Sequence, residues 1–365
     1  MSIIDSKMTK RERILASLRG EEVDRPPYGF WGHHFDAESS LSSHISSVIW
    51  WQRSFDMDFI KVQGRASYPT EDWGVRFGYP FTSSFVGLDP AFQPSVPHPQ
   101  NPMQLDYPVK APEDWVKINV LDPRAGALGE RLVALYSLGQ ELPKMDDDIP
   151  FFIETIFTPL SLAGHLLGWG GYDYSKLELL KDHIAEYPDA IHQVLDVITQ
   201  SIIGFVKECL KTGVSGFFFA TTHWGTYDRM TDAIYDEFAR PYDLRILEVM
   251  ADAEFNVLHV CKSNNMLYHL ADYPVHAFNW ADREDSNADI NSFREKYPDK
   301  AILGGISRAS LDQASPDSAL SEAHDTWIVT QGRSWLAGPD CSIPPSAPAA
   351  NIRAVADLLR FGESE

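Results

Sequence analysis

Short apolar segments alternate with longer amphipathic ones after about residue 150, and this alternation most constrains what the chain can fold into. The short segments predict strands at residues 213–221, 255–261, 275–281, 300–307 and 334–341. Apolar residues in the longer segments recur at three- and four-residue intervals. That spacing predicts helices at residues 175–213 (broken near Pro188), 232–253, 320–332 and 351–362. Strands that alternate with helices need right-handed crossovers and form a parallel sheet.

This pattern predicts an α/β protein of the (β/α)8 TIM-barrel class. A doubly wound sheet shows the same alternation, but the chain has neither the G-x-G-x-x-G nor the G-x-x-x-x-G-K-[ST] loop that binds phosphates in many such sheets. The catalytic residues of a TIM barrel lie at the carboxyl ends of its strands. We therefore expect the functional residues to lie where the predicted strands end.

Residues 21–150 precede these units and show no comparable period. Proline is frequent there and aromatic residues are scattered, so we expect an irregular N-terminal elaboration over residues 1–150. The regular barrel units follow over 151–365, and residues 1–365 are predicted to form one domain. Near the start, Thr9 and Glu12 form a T-x-x-E capping box, and Gly20 stands where a helix end favours a left-handed residue. A helix is predicted between them.

The charge balance argues against several classes of function. With 31 basic and 52 acidic residues, the net charge is −21, which repels phosphate backbones and anionic lipids. We therefore expect neither a nucleic acid nor a membrane as a partner. The longest apolar runs contain proline, glycine and histidine and fall short of the ~20 apolar residues of a membrane span. Three cysteines are too few for a disulfide framework, and the first residues lack an apolar leader, so the sequence predicts a soluble cytoplasmic protein.

Two predicted strands end in potential metal ligands. His259 and Cys261 are two residues apart on one strand, so their side chains point to the same face, and Cys341 ends a later strand. Parallel strands of a barrel meet at one mouth, where one imidazole and two thiolates would suit a zinc ion with one open position. The alternative is that these cysteines only fill core space, the interpretation we adopt for Cys209, which lies at an apolar position of a predicted helix.

Several stretches together resemble the uroporphyrinogen decarboxylase superfamily over nearly the whole chain. They are R-P-P at 25–27, T-P-L-S-L-A at 158–163, T-H-W-G at 222–225, F-A-R-P-Y at 238–242 and the Pro-rich approach to the last helix at 338–355. The resemblance implies a TIM barrel.

The chain departs from the decarboxylases of that superfamily at the positions that bind and convert the porphyrinogen. Their R-Q-A-G-R arginines, which bind substrate carboxylates, would align with Gly32 and Asp36, and their essential aspartate with Gln63. Their active-site tyrosine and serine would align with His165 and Thr222. A substrate with many carboxylates would lack its cations here, so we do not expect uroporphyrinogen decarboxylation.

The chain is instead similar to the zinc-dependent methyltransferases of the superfamily that act with a corrinoid. Their signature is H-x-C on one strand and a further cysteine before the Pro-rich helix start, which His259, Cys261 and Cys341 match. The resemblance implies Zn²⁺ and methyl transfer between a corrinoid and a small thiol, methyl ether, amine or halide. The chain has no D-x-H-x-x-G cobalamin-binding signature, so the corrinoid would come on a separate carrier protein. Asp282 and Glu284 follow the intervening strand and could supply a fourth ligand.

The remaining polar and aromatic residues near the expected barrel mouth are candidates for substrate binding. They are His33, His34, His165, His223, Trp224 and Tyr227. Any one of these histidines could instead be a hydrogen-bonded structural residue. Two other functions stay open: a decarboxylase of a different acid, for which Arg229 and Arg283 are the nearby cations, and a zinc-free binding or scaffold protein.

Overall fold

A seven-stranded parallel sheet forms the centre of the computed structural model, which describes residues 7–38, 40–65, 68–78, 103–145, 148–168 and 175–362. The strands follow one another in the order β1 (Phe59–Val62), β4 (Phe151–Phe157), β5 (Gly216–Ala220), β6 (Val257–Val260), β7 (Ala277–Trp280), β8 (Ala301–Ile306) and β9 (Trp335–Pro339). A second, antiparallel pair comprises β2 (Arg76–Gly78) and β3 (Met103–Asp106). The predicted α/β class with a parallel sheet is confirmed.

Helices lie before, between and after the strands of the sheet along the chain. They are α1 (Lys10–Leu18), α2 (Leu41–Phe55), α3 (Tyr68–Glu71), α4 (Gly126–Glu141), α5 (Pro159–Leu166), α6 (Ser175–Glu186), α7 (Pro188–Cys209), α8 (Asp232–Phe238), α9 (Arg240–Met250), α10 (Ile290–Lys296), α11 (Arg308–Leu311), α12 (Asp317–Thr330) and α13 (Ala349–Phe361). Short 3-10 helices occupy Pro112–Lys117, Leu142–Lys144 and Leu210–Thr212. Within the described ranges, every helix is too short or too polar to cross a bilayer.

Seven strands, rather than the eight of the predicted barrel, pair regularly within the described residues. The extended segment 28–32 runs between the two edge strands of the sheet. On one side Gly29 N donates to Ala337 O at 3.0 Å, and on the other Asp58 N donates to Tyr28 O at 2.9 Å. A Cβ at Gly29 would lie 2.6 Å from the ring of Phe59, so the close approach of this segment to β1 needs glycine.

The predicted strands after residue 150 are confirmed, with ends that differ by a few residues. The predicted N-terminal helix is confirmed as α1, with the Thr9–Glu12 capping box and a left-handed Gly20. The helix predicted over 232–253 is divided into α8 and α9, because Ala239 leaves helical geometry (φ −122°, ψ −59°) just before Pro241.

The N-terminal stretch is more regular than we predicted. It contains α2, α4 and β1, and β1 is a strand of the central sheet. Both elements contribute to the buried core, as Phe59 on β1 and Trp51 on α2 show. Residues 79–102 of the same stretch lie outside the described residues.

The register of the sheet sets the position of the site. Ala220 on β5 pairs with His259 on β6, and His259 pairs with Asn279 on β7. These residues form one row across three neighbouring strands near their carboxyl ends. A polar side chain on β7 is thereby placed directly beside the histidine of β6.

Candidate metal centre

Three side chains with metal-ligating atoms converge at the carboxyl ends of β6 and β9. His259 lies on β6, Cys261 is the first residue after that strand, and Cys341 lies two residues after the end of β9. Cys341 Sγ is 3.7 Å from His259 Nε2 and 3.9 Å from Cys261 Sγ, and all three ligating atoms lie within 4.8 Å of one another. His259 and Cys261 are buried and Cys341 is partly buried. The structure therefore brings together the three residues that the sequence analysis selected.

Asn279 fixes the orientation of the His259 ring. Its Nδ2 donates to the carbonyl oxygens of Leu303 at 2.8 Å and Pro339 at 3.1 Å, so its Oδ1 must face the ring. His259 Nδ1 lies 2.5 Å from that Oδ1 and must carry the hydrogen of this bond, because an amide oxygen only accepts. Nε2 is then left with its lone pair toward the two sulfur atoms, the arrangement typical of metal-binding histidines.

The two thiols differ in their electrostatic surroundings. The hydrogen bond from Cys261, the adjacent His259 and the Arg308 guanidinium hold the pKa of the Cys341 thiol well below its usual range. The bond to Cys341 together with burial raises the pKa of the Cys261 thiol. Of the two thiols, Cys341 is therefore the one that gives up its proton more readily.

The donor set fits Zn²⁺. One imidazole nitrogen and two sulfur atoms are the ligands that zinc prefers, and three protein ligands leave one tetrahedral position open. Asp282, a possible fourth ligand, lies outside the group of three within the described residues. Burial raises the pKa of its carboxyl to about 7, and its nearest ionic partner is Arg283 at 3.2 Å. Glu284 also lies outside that group.

Cys209 differs from the two site cysteines in position. It is fully buried at the end of α7 within the apolar core. Burial raises the pKa of its thiol well above the usual range, as expected of a cysteine that fills space. This agrees with the packing role we predicted for it.

A cavity of about 230 Å³ opens in front of the three ligands. Its lining combines aromatic side chains with histidines and cations and extends from the segment before α2 to the loop after β9. The described lining residues are Trp31, His33, Phe35, Lys61, Gln63, Gly64, Arg65, Tyr68, Phe77, Thr155, Phe157, His165, Phe218, Ala220, Thr222, His223, His259, Cys261, Lys262, Cys341 and Ser342. The cavity is large enough for a small molecule in contact with the ligand cluster.

Three of the six residues predicted to bind substrate line this cavity, namely His33, His165 and His223. Burial lowers the pKa of His165 to about 4 and that of His223 to about 3, so both rings are neutral at pH 7.

The other three predicted substrate-binding residues lie elsewhere. His34 is buried with its ring centre 5.0 Å from that of Trp51, and burial lowers its pKa to about 3. Trp224 is fully buried beneath Gly164 of α5, where a Cβ would lie 3.0 Å from the indole nitrogen. Tyr227 is 46% exposed and its backbone nitrogen donates to Asn264 O at 2.9 Å.

One lining residue, Lys61, was not among the site residues expected from the sequence. Lys61 is buried at the cavity wall, and its Nζ donates to the side-chain oxygen of Gln63 and lies 4.9 Å from the centre of the Phe218 ring. Burial lowers the pKa of this lysine to about 8. The sequence places Lys61 within a short apolar strand, a pattern equally typical of an ion-paired structural residue.

The positions aligned with the decarboxylase residues do lie at this cavity. Gln63, His165 and Thr222 all line it, so the alignment locates the right region of the fold. The two cations that we named for a decarboxylase are misplaced, because neither Arg229 nor Arg283 is among the lining residues. Arg229 pairs with Glu178, and Arg283 donates to groups on and near α12. The lining cations are Lys61, Arg65 and Lys262.

Comparisons with known proteins agree on a family. A family model described as uroporphyrinogen decarboxylase (URO-D) matches residues 9–361. Uroporphyrinogen decarboxylase of Hydrogenovibrio crunogenus is 25% identical over 324 residues, which cover 86% of this chain and 86% of that protein. The uroporphyrinogen decarboxylase of Dechloromonas aromatica is 26% identical over 219 residues, 58% of each chain.

A solved structure shows the same fold at low sequence identity. It is a methyltransferase from Methanosarcina mazei, with a TM-score of 0.76 and 16% identity over 96% of this chain and 98% of that one. The match extends over the central sheet and its helices, and at this identity it supports the fold alone.

Proposed function

Since the chain belongs to the uroporphyrinogen decarboxylase family, we propose that it is a zinc-dependent methyltransferase that moves a methyl group between a small molecule and a corrinoid. The small molecule is a thiol, methyl ether, amine or halide, and the corrinoid is carried by a separate protein. The observation that carries this proposal is the cluster of His259, Cys261 and Cys341, with the imidazole held by Asn279 so that its free nitrogen faces both sulfur atoms.

The ligand cluster favours a catalytic rather than a structural metal. It would supply three ligands at the wall of a cavity, and a fourth, open position on the metal would be reached by a substrate from that cavity. Zinc bound there supplies Lewis acidity, which makes a thiol more acidic or polarises the atom that leaves the methyl group. The structural similarity of the chain to a methyltransferase from Methanosarcina mazei is compatible with this proposal.

The residues of the chain would prepare the site for this chemistry. Asn279 holds His259 in one tautomer, so no rearrangement of the ring is needed when a ligand binds. The lowered pKa of the Cys341 thiol would reduce the cost of losing a proton on metal binding. The aromatic walls formed by Trp31, Phe35 and Phe157 would exclude water from a bound methyl group.

Methyl transfer in either direction tests the proposal. The zinc-loaded protein is incubated with methylcobalamin and a panel of thiols, and separately with Co(I) cobalamin and methyl ethers, amines and halides, and the cobalamin absorbance is followed. We expect zinc-dependent transfer with at least one compound and none with the Cys341→Ser variant. A zinc-loaded protein that converts none of them but releases CO₂ from a carboxylic acid would overturn the proposal.

The second candidate is a decarboxylase of a different acid. It is favoured by the lining cations Lys61, Arg65 and Lys262 and by the names of the curated relatives. It makes no use of the ligand cluster, so its activity would survive removal of the metal. A zinc-free binding or scaffold protein would neither take up zinc nor turn over a substrate.

A further inference from the structure

A directional chain of hydrogen bonds leads from a buried carboxylate to the cavity lysine. Lys61 can only donate, so the amide oxygen of Gln63 faces it and the amide nitrogen faces His33. His33 Nε2, 2.7 Å from that nitrogen, therefore accepts, and Nδ1 carries the ring proton. His33 Nδ1 donates a hydrogen bond to Glu38 Oε1 at 2.8 Å. Every donor and acceptor in this series of hydrogen bonds is thus assigned from its two ends, Lys61 and Glu38.

Glu38 is itself fixed. Its side chain is 1% exposed, and its Oε1 also accepts the backbone N–H of His34 at 2.9 Å. The carboxylate therefore determines which tautomer His33 adopts, and through Gln63 it determines where the Lys61 ammonium lies. Glu38 lies outside the set of cavity-lining residues and acts only through this chain.

Lys61 lies close to the ligand cluster without a carboxylate of its own. Its Nζ is 4.9 Å from the centre of the Phe218 ring, and the His259 ring stacks on Phe218 with 5.0 Å between ring centres. Within the described residues, no carboxylate lies within ion-pair distance of Lys61 Nζ. By contrast, the neighbouring Arg65 is paired with Glu71 at 2.6 Å and Glu130 at 3.3 Å.

Cationic side chains line the cavity although the protein as a whole is acidic. Lys61, Arg65 and Lys262 line it, and its described lining residues include no aspartate or glutamate. A buried ammonium without a carboxylate at ion-pair distance is costly, and an anionic group entering the cavity would offset that cost.

We propose that Lys61 binds a carboxylate group of the substrate, so that the protein selects small carboxylate-bearing molecules over their neutral analogues. Glu38 is the positioning residue of this subsite, acting through His33 and Gln63. This inference rests on the proposed function, because the reacting end of the substrate would contact the metal. The carboxylate end of the same molecule would contact Lys61.

Calorimetric binding to the zinc-loaded protein tests the subsite with 3-mercaptopropionate and its neutral amide, 3-mercaptopropanamide. We expect the carboxylate to bind about tenfold more tightly, the effect of one charge-assisted hydrogen bond. Lys61→Met should remove this preference and leave the affinity for the amide unchanged, whereas Lys61→Arg should retain part of it. The matched control is Lys10→Met, since Lys10 is a buried lysine paired with Asp56 outside the cavity.

The role of Glu38 is tested by the same preference rather than by stability. Glu38→Gln keeps an oxygen that can accept from His33 and should retain most of the preference, whereas Glu38→Leu should lose it with the amide affinity unchanged. A loss of affinity for both thiols alike would show a merely structural role and contradict the positioning role.

Propionate separates failure of the subsite from failure of the proposed function. Equal binding of both thiols, or carboxylate binding that Lys61→Met leaves unchanged, would overturn the subsite while leaving zinc-dependent methyl transfer intact. If neither thiol binds through the metal but propionate binds in a Lys61-dependent manner, the subsite is supported and the thiol form of the function fails. Absence of any Lys61-dependent carboxylate binding overturns the subsite.

Discussion

Replacing Asn279 by alanine should weaken the metal centre without touching a ligand. The side chain is fully buried and connects His259 Nδ1 to the carbonyl oxygens of Leu303 and Pro339. Without it, the imidazole loses the acceptor that fixes its tautomer and orientation. Such outer partners of metal-binding histidines typically contribute a factor of about 10–100 in metal affinity, or about 1.4–2.8 kcal/mol.

The same substitution should also lower the free energy of unfolding. Two buried carbonyl groups and one imidazole N–H lose a partner, and leaving such groups unsatisfied costs about 1–3 kcal/mol each before water or local relaxation compensates. We expect a net loss of about 2–4 kcal/mol. This effect must be separated from the effect on zinc.

Asn256→Ala is the matched control. Asn256 is also buried, accepts from Phe217 N at 3.2 Å and donates to Met250 O at 2.6 Å, but it lies before the start of β6, away from the ligands. We expect it to destabilise the protein comparably and to leave zinc affinity unchanged. The assay is competition for zinc with a chromophoric chelator, alongside urea denaturation. Wild-type zinc affinity in Asn279→Ala, or an equal loss in Asn256→Ala, would refute the reasoning.

Two further predictions concern the cavity. Burial lowers the pKa of Lys61 from 10.5 to about 8, so the charged lysine destabilises the folded state by about 3 kcal/mol at pH 7. Lys61→Met leaves Gln63 without its donor at a cost of about 1–2 kcal/mol, so the variant should be more stable by about 1–2 kcal/mol in urea denaturation at pH 7. The unfolded chain keeps the Lys61 proton up to about pH 10.5, whereas the folded chain releases it near pH 8. The wild type should therefore gain stability relative to Lys61→Met as the pH rises from 8 to 10.5. A stability difference that stays constant between pH 7 and 9.5 would contradict this. Uroporphyrinogen should not be decarboxylated, even after Gly32→Arg and Asp36→Arg, because Gln63 supplies no carboxylate; coproporphyrinogen detected by chromatography with the unmodified protein would show the opposite.

The parts of the structure that depend on local pattern could be predicted from the sequence. The strand ending in His259 and Cys261 was recognisable because both its apolar content and its two-residue spacing are local. Cys341 could be added because parallel strands place their carboxyl ends at one edge, a rule that holds whatever the details of the packing.

Features that depend on distant contacts could not be predicted. The segment 28–32 follows two prolines and shows no alternation of apolar and polar residues. Its place beside the sheet depends on hydrogen bonds to Ala337, more than 300 residues away. The importance of Asn279 depends on its register with His259, which the sequence of β7 does not reveal. The chain from Glu38 to Lys61 likewise requires two loops to meet.

Trp224 and Tyr227 show the limits of a local pattern, since neither is among the described lining residues of the cavity. Both follow a strand that ends at the cavity, which suggested that their side chains reach the substrate. Thr222 instead adopts a left-handed conformation (φ 51°), and the indole of Trp224 packs into the core against Gly164. Tyr227 lies farther along the loop and is half exposed. Burial of the large apolar indole outweighs any local preference for the cavity.

Zinc content of the purified protein and three single variants tests the central claim most directly. We expect close to one zinc per chain in the wild type and in Cys209→Ser, and little zinc in Cys341→Ser and His259→Ala. The two ligand variants should remain folded with a loss on the order of 1–2 kcal/mol, because burial of a large apolar core stabilises the fold. A wild-type protein that stays metal-free after zinc supplementation, or a Cys341→Ser protein that keeps both zinc and activity, would contradict the account.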